Sequence, residues 1–406
     1  MRYRGMSGAL AALLLTGALA PAATAVPTPS TAPTTHAVPP SAPTPTDSGN
    51  SPAAPDPHPG RGGIGPDGKP VGGAALLGRR LVLPRGMSRP PAAVTARAWI
   101  VVDLDDGRVL AARDPHGRYQ PASIQKLLTT ITLLPLLPGT RRVVVSRRAA
   151  DTEGSHAGLV PGGTYTVDQL FRGLLLVSGN DAAEALAEAA GGRAKTVALM
   201  NASAQRLGGY DTYVQTPSGL DGWQQLTSAY DMALVLRAAL AQPRFLAYDR
   251  ALRATLPAQP VNGFGPVELD NQNAYFLTKV KGALVAKTGF TDAAQHTFVG
   301  ALQRGGHRYG VVLLRAQRWP EDQWQQATKL VAWAAAFPAG TAPVGTLNTP
   351  RPVPVGDTNS AKTTFRHALG GAGAAGTGGS STLQLLGVIA LLAIAVAFSW
   401  RYVRLR

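Results

Sequence analysis

Ala98-Trp99-Ile100-Val101-Val102-Asp103, an Asp106-Gly107 turn, and then Arg108-Val109-Leu110-Ala111-Ala112 open the part of this chain that can fold. Two β-rich runs around Asp-Gly predict a hairpin, because the tight turn needs the left-handed backbone that Asp and Gly tolerate. Strands return only near the other end of the domain, at Ala283 to Thr288, Thr297 to Gln303 and Tyr309 to Ala316, the last two joined across Gly305-Gly306. Between them the apolar residues recur at helical spacing. Ser123 to Leu134 runs until Pro135 interrupts it, and Thr166-Val167-Asp168-Gln169 is a capping box for a helix reaching about Leu176. Further helices are expected at Asp181 to Ala190, stopped by Gly191-Gly192, and at Ala194 to Leu207, Ala229 to Leu240 and Glu321 to Ala336. Strands at both ends with helices between imply an α+β fold: one antiparallel sheet joined from both termini, carrying a helical subdomain.

Composition changes on either side of this domain, which is placed at 93–338. Residues 26–92 begin as Pro, Ala, Thr and Ser with little to bury and read as a disordered stalk. Residues 339–382 pass from Pro and Thr to Gly and Ala, as a flexible tether would. At the start, Arg2 and Arg4 precede an apolar run from Met6 to Ala20, and Ala23-Thr24-Ala25 is a small-residue cleavage site. Residues 1–25 therefore read as a secretory signal peptide, with the mature chain beginning near Val26 outside the cytoplasm. Residues 383–400 are an uncharged run of Leu, Ile, Val, Ala and Phe broken only by small or neutral residues, just long enough to cross a hydrocarbon core about 30 Å thick as one transmembrane helix. The tail 401–406 holds Arg401, Arg404 and Arg406 and no acid, which places it in the cytoplasm. The expectation is a single-pass cell-membrane protein with its main body outside.

The chain has no cysteine, which excludes disulfides, thiolate nucleophiles and Cys-ligated metals. Its formal charge of +16 suits an anionic counterpart. Export argues against nucleic acid and leaves anionic lipid or an anionic cell wall. The seven histidines are scattered and no His-Glu-x-x-His spacing occurs, so neither a metal nor another cofactor is expected.

Three short motifs stand in order: Ser123-Ile124-Gln125-Lys126, Ser178-Gly179-Asn180 and Lys287-Thr288-Gly289. Residues three apart on a helix share a face, so Ser123 and Lys126 can pair as nucleophile and amine base. The pairing requires a neutral lysine, which burial and a second cation, Lys287, would both favour. The neighbours Leu127, Leu128, Ile131 and Leu133 indicate a buried helix, where an unused lysine is costly. Ser178 and Asn180 suit a loop edge from which a hydroxyl relays a proton and an amide positions lysine or substrate. Lys287 and Thr288 end a strand with a charge and a hydroxyl for a substrate carboxylate, and Gly289 lets a bound chain approach the backbone. Each motif alone has an ordinary reading: an exposed helical pair, a capping turn before Asp181, a strand end. Ser48-Gly49-Asn50 repeats the second tripeptide inside the stalk, so the inference rests on the set.

The set resembles the serine-type D-alanyl-D-alanine carboxypeptidases, the low-molecular-mass penicillin-binding proteins. The resemblance runs from about Ala98 to Leu314, through Pro121-Ala122-Ser123, Leu176 to Ala183, Met200-Asn201, Leu207-Gly208, Ser218-Gly219-Leu220-Asp221 and Lys287 to Thr291. It implies the penicillin-binding, transpeptidase-like fold and a two-step acyl transfer on peptidoglycan stem peptides ending in D-Ala-D-Ala. Ser123 would attack with Lys126 as base, and Ser178 and Asn180 would complete the catalytic set. Lys287, Thr288, Gly289, Phe290 and Thr291 would bind substrate, and the backbone N–H groups of Ser123 and Phe290 would form the oxyanion hole. A β-lactam would acylate Ser123 because it imitates the substrate terminus. Three departures from relatives stand out: no sequence for a C-terminal β domain, a span where others carry a surface helix, and Phe290 where some have a polar residue.

The rivals are fewer. A β-lactamase of the most similar class needs a glutamate for deacylation, and none lies between Glu188 and Glu268. Endopeptidase activity on cross-links uses the same acyl-enzyme. A non-catalytic wall-binding protein could keep the fold, but retention of Ser123, Lys126, Ser178, Asn180 and Lys287 together argues against it.

Overall fold

The strands that begin and end the domain pair with each other. In the computed structural model, which describes residues 62–348, Val101 lies opposite Val311 and Asp103 opposite Tyr309 in an antiparallel ladder. Along the chain the elements are β1 (Leu81–Val82), β2 (Ala98–Asp103), β3 (Arg108–Arg113), α1 (Lys126–Leu133), β4 (Arg142–Val144), α2 (Arg147–Ala150) and β5 (Thr164–Thr166). There follow α3 (Val167–Leu176), α4 (Asn180–Ala189), α5 (Arg193–Arg206), α6 (Ala229–Leu240), α7 (Pro243–Asp249), β6 (Arg253–Leu256) and β7 (Val267–Asp270). The last are α8 (Ala274–Leu277), β8 (Ala283–Thr291), β9 (Gln295–Arg304), β10 (His307–Ala316), α9 (Gln323–Ala335) and β11 (Gly345–Thr346). The main sheet has the order β1-β3-β2-β10-β9-β8, with β11 also on β3, and all its pairs are antiparallel. The α+β expectation holds.

Every residue of β2 is buried, because the sheet is covered on both faces. Successive side chains alternate between them. Trp99 and Val101 join Val311, Leu330 and Val331 under α9, where Trp99 meets Trp333 edge to face at 6.2 Å. Ile100 and Val102 join Val312, Ala233 and Leu236 under α6 and the helical subdomain. Each large side chain so buried contributes roughly 1.5–3 kcal/mol relative to exposure. The subdomain is built from α1 and α3 to α6. Thr166 and Gln169 form the predicted capping box at the start of α3, and α6 has the predicted bounds.

Both domain boundaries move outward from the sequence expectation. Composition alone places residues 62–92 in the stalk, yet β1 pairs with β3 at Leu81↔Arg113, and Val71 and Leu76 are buried. Composition likewise places residues 339–348 in the tether, yet β11 pairs with the other half of β3 at Gly345↔Val109, and Leu347 is buried. The two flanks thus cover one sheet edge, which would otherwise expose unpaired backbone groups. Side chains hold them there. His116 Nδ1 lies 2.7 Å from Asp211 Oδ2 while Nε2 meets the Val71 carbonyl at 3.1 Å, and Gly63 N donates to Asp211 Oδ1. On the other flank Tyr230 donates its hydroxyl to Thr346 O and accepts from Asn348 N, each at 2.9 Å. Two-residue strands carry no periodicity of their own, so composition misled the boundary.

The predicted signal peptide, most of the stalk, the remainder of the tether, the 383–400 span and the basic tail lie outside the described residues. Among the described residues no helix is long and apolar enough to cross a membrane.

Candidate active site

The three motifs converge where the start of α1 meets the end of β8. Residues Ala122 to Gln125 form a 3-10 turn that leads into α1, so the helix proper begins at Lys126. A 3-10 turn has three residues per turn and stacks positions i and i+3 in line. Ser123 and Lys126 therefore stand one above the other, and Lys126 Nζ lies 2.9 Å from Ser123 Oγ.

Lys126 is fully buried. Its amine also donates to Asn180 Oδ1 at 2.7 Å and to the Ser218 carbonyl at 2.8 Å. Asn180 is held in that orientation because its Nδ2 donates to the Glu153 carbonyl at 2.7 Å, and a carbonyl can only accept. Two of the three neighbours of the amine thus demand a donated hydrogen. The lone pair of a neutral Lys126 is left facing Ser123 Oγ, the one partner able to give a proton. Burial first, and then the charge of Lys287, hold the Lys126 pKa well below the ordinary lysine value against an opposing pull from Asp181. The arrangement can take the serine proton without any further group.

Lys287 is buried as well, and donates to the Thr288 carbonyl at 2.7 Å. Burial lowers its pKa to about 8, with Asp249 pulling the other way. At neutral pH it is the cation of the site. Two glycines let backbone press on the nucleophile turn. A Cβ at Gly289 would stand 2.7 Å from Ser123 N, and one at Gly219, where φ is +88°, would stand 2.0 Å from the Ala122 carbonyl oxygen. The end of β8 consequently runs beside the Ser123 N–H, as a pair of backbone donors from the two segments requires.

The remaining expected residues divide. Asn180 is the first residue of α4, one residue earlier than the sequence places that helix. Ser178 has φ 60°, a left-handed conformation uncommon for serine, and its Oγ is buried without a hydrogen-bond partner. It is not bonded to Lys126 or Ser123 here. Phe290 is partly exposed and packs against His296 with ring centroids 4.6 Å apart and the planes tilted by 39°, giving the cleft edge an aromatic wall. Thr291 donates its hydroxyl to Asp221 Oδ1 at 2.6 Å and accepts from Ala294 N, so it ties β8 to the 218–222 loop. The Ser218 and Glu153 carbonyls and Asp249 are not legible in the sequence motifs. Backbone acceptors leave no mark on residue type, although the turn residue Gly219 marked the Ser218 loop.

A serine bonded to a buried, deprotonation-prone lysine between an antiparallel sheet and a helical subdomain defines a class, the serine acyl-transfer enzymes with a lysine base. Solved structures share the architecture. A D-alanyl-D-alanine carboxypeptidase from Mycobacterium tuberculosis matches with TM-score 0.62 and 39% identity over 66% of this chain and 100% of that one. The Streptomyces K15 DD-transpeptidase matches in fold, with TM-score 0.57 and 24% identity over 62% and 100%. By sequence, DacB2, a D-alanyl-D-alanine carboxypeptidase of Mycobacterium tuberculosis, is 40% identical over 246 residues, 60% of this chain and 83% of the relative. DacD of Salmonella typhimurium, another such carboxypeptidase, is 32% identical over 256 residues, 60% of this chain and 63% of its own length. Residues 85–318 match the model of the D-alanyl-D-alanine carboxypeptidase family, peptidase family S11, and the chain belongs to that family of serine peptidases.

Proposed function

We propose that this protein trims the terminal D-Ala from peptidoglycan stem pentapeptides through an acyl-enzyme on Ser123, and that penicillins acylate the same oxygen. The observation that carries this reading is the 2.9 Å contact between Ser123 Oγ and a wholly buried lysine amine. As Ser123 Oγ bonds to the penultimate carbonyl carbon, its proton passes to Lys126 Nζ. The carbon–nitrogen bond to terminal D-Ala then breaks, and the leaving nitrogen takes a proton from Lys126 through the Ser178 hydroxyl. Water, deprotonated by Lys126, adds to the ester carbonyl and releases the shortened peptide, and Ser123 recovers its proton.

The N–H groups of Ser123 and Phe290 receive the oxyanion, each such donor stabilising the transition state by about 2.7–4 kcal/mol. Lys287 and Thr288 hold the terminal carboxylate. Asn180 fixes the amine, and Thr291 acts by anchoring the Asp221 loop at the cleft edge. Activity should follow a bell. It falls on the acid side as Lys126 is protonated, and on the alkaline side as Lys287 loses its charge near its pKa of about 8.

The signal peptide, stalk and C-terminal span read from the sequence support an extracytoplasmic domain facing the wall on a single membrane anchor. Protease added outside intact cells should then release the domain by cutting within 349–382, and a fully protected domain would overturn that topology. For the chemistry, the test is incubation of the full chain with a D-Ala-D-Ala pentapeptide under mass detection. Loss of one D-Ala is expected, and cleavage of cross-linked dimers alone would mark an endopeptidase. A protein that neither releases D-Ala nor gains a penicillin adduct would be a wall-binding protein with an inert site.

A further inference from the structure

Behind the clamp lysine lies a carboxylate that the acyl-transfer chemistry never touches. Asp249 is the last residue of α7 and is fully buried. Its Oδ2 accepts from the backbone N–H of Ala286, the residue before Lys287, at 3.3 Å, and its Oδ1 accepts from Asn273 Nδ2 at 3.4 Å. Its own carbonyl is held by Asn271 Nδ2 at 2.8 Å. A buried carboxylate with two long hydrogen bonds is under-solvated, and it would be an expensive feature if nothing faced it.

Lys287 follows Ala286 in β8 and is buried as Asp249 is. On the β8 side Lys287 and Asp249 act on each other as opposite charges; Arg250, the other charge felt by Asp249, turns its Nε to the Leu284 carbonyl at the surface. From α1, Lys126 is the group on which the Lys287 charge bears.

We infer that Asp249 is a positioning residue for the reaction: through its charge and its bond to Ala286 N it keeps Lys287 cationic at the end of β8, and thereby keeps Lys126 neutral. This rests on the carboxypeptidase reading, and it adds to it the group that sets the alkaline limit of activity. The physical sequence is direct. Burial pushes the Asp249 carboxyl up to about 7, so the carboxylate is present where Lys287, held at about 8, would otherwise begin to lose its proton. Without that charge, burial acts on Lys287 alone. The clamp then discharges at lower pH, and the repulsion that keeps Lys126 neutral fades with it.

The test uses the full chain and the pH dependence of its acylation by penicillin, read as adduct mass on Ser123. Asp249→Asn keeps the shape and removes the charge. The alkaline limb should move toward acid by on the order of one pH unit. Asp249→Glu should move it back, which a purely structural role would not do. An alkaline limb in Asp249→Asn that coincides with wild type would overturn the inference.

If Asp249→Asn does not fold, the coupling is read from the other end, because linkage between two proton sites is reciprocal. Carbon-13 NMR of the aspartate carboxyls should show Asp249 titrating higher in Lys287→Met than in wild type, and an unchanged titration overturns the inference. Failure of the wild-type chain to acylate would sink the carboxypeptidase reading alone, since the carboxyl titration decides the coupling independently.

Discussion

Lys126 and Lys287 are both buried beside the Ser123 turn, and their surroundings differ in one respect. Lys126 is bonded to a hydroxyl, an amide oxygen and a backbone carbonyl, all neutral. The nearby Asp181 carboxylate is spent on the backbone N–H groups of Ala157, Gly158, Leu159 and Ala182. Lys287 has the charge of Asp249 acting on it, a carboxylate held only by two long hydrogen bonds, from Ala286 N at 3.3 Å and Asn273 Nδ2 at 3.4 Å. Burial strips the proton from a lysine unless a carboxylate offsets it, so one residue type can be a neutral amine on a helix and a cation on a strand. The proposed mechanism needs both, and the charge of Lys287 helps to keep Lys126 neutral.

The largest effect should come from substitutions that treat the two lysines alike. Arginine keeps its charge at any working pH and cannot act as a base. Lys126→Arg should slow penicillin acylation by about 10²–10⁴-fold, the usual worth of a general base, whereas Lys287→Arg should lose less. Stopped-flow rates that fall equally for both would break the comparison. Next is Gly289→Ala, which sets a methyl 2.7 Å from Ser123 N. Displacing the strand end from that N–H should cost about 10²–10³-fold in kcat on the pentapeptide, as loss of an oxyanion donor does. Wild-type kcat in Gly289→Ala would show that the close approach is packing only.

Asn180→Asp sharpens the contrast by giving Lys126 the kind of partner Lys287 already has. A carboxylate 2.7 Å from the amine raises its pKa, so the acid limb of the acylation profile should move up by about 1–3 pH units. An acid limb that stays in place means the amine is not the titrating base. The smallest effect belongs to the flank. Tyr230→Phe removes the hydroxyl shared by Thr346 and Asn348, and should lower unfolding stability by about 0.5–1.5 kcal/mol in urea with acylation unchanged. A slowed acylation would join the sheet edge to the site.

Legibility from sequence followed the range of the interactions. The α3 capping box, the α6 helix and the β2–β3 hairpin are encoded within a few neighbouring residues, and the structure reproduces them. Ser123 and Lys126 are legible for the same reason, since three residues of spacing determine their contact. The 3-10 winding of that turn is not, because it answers to the backbones of Gly219 and Gly289 pressing from distant segments. Nor is Asp249, which sits in a seven-residue helix and meets Ala286, 37 positions further along the chain. The flanks were hidden by their brevity. Residues 81–82 and 345–346 are strands only because β3 offers them an edge.

The central claim is that Lys126 is a neutral amine while Lys287 is still charged. Site-resolved carbon-13 NMR of the lysine methylenes next to Nζ, assigned by Lys126→Met and Lys287→Met, measures it directly. The account predicts that Lys126 titrates well below the ordinary lysine value and below Lys287, which titrates near 8. Two lysines that titrate together near the ordinary value, or Lys287 discharging first, would contradict it.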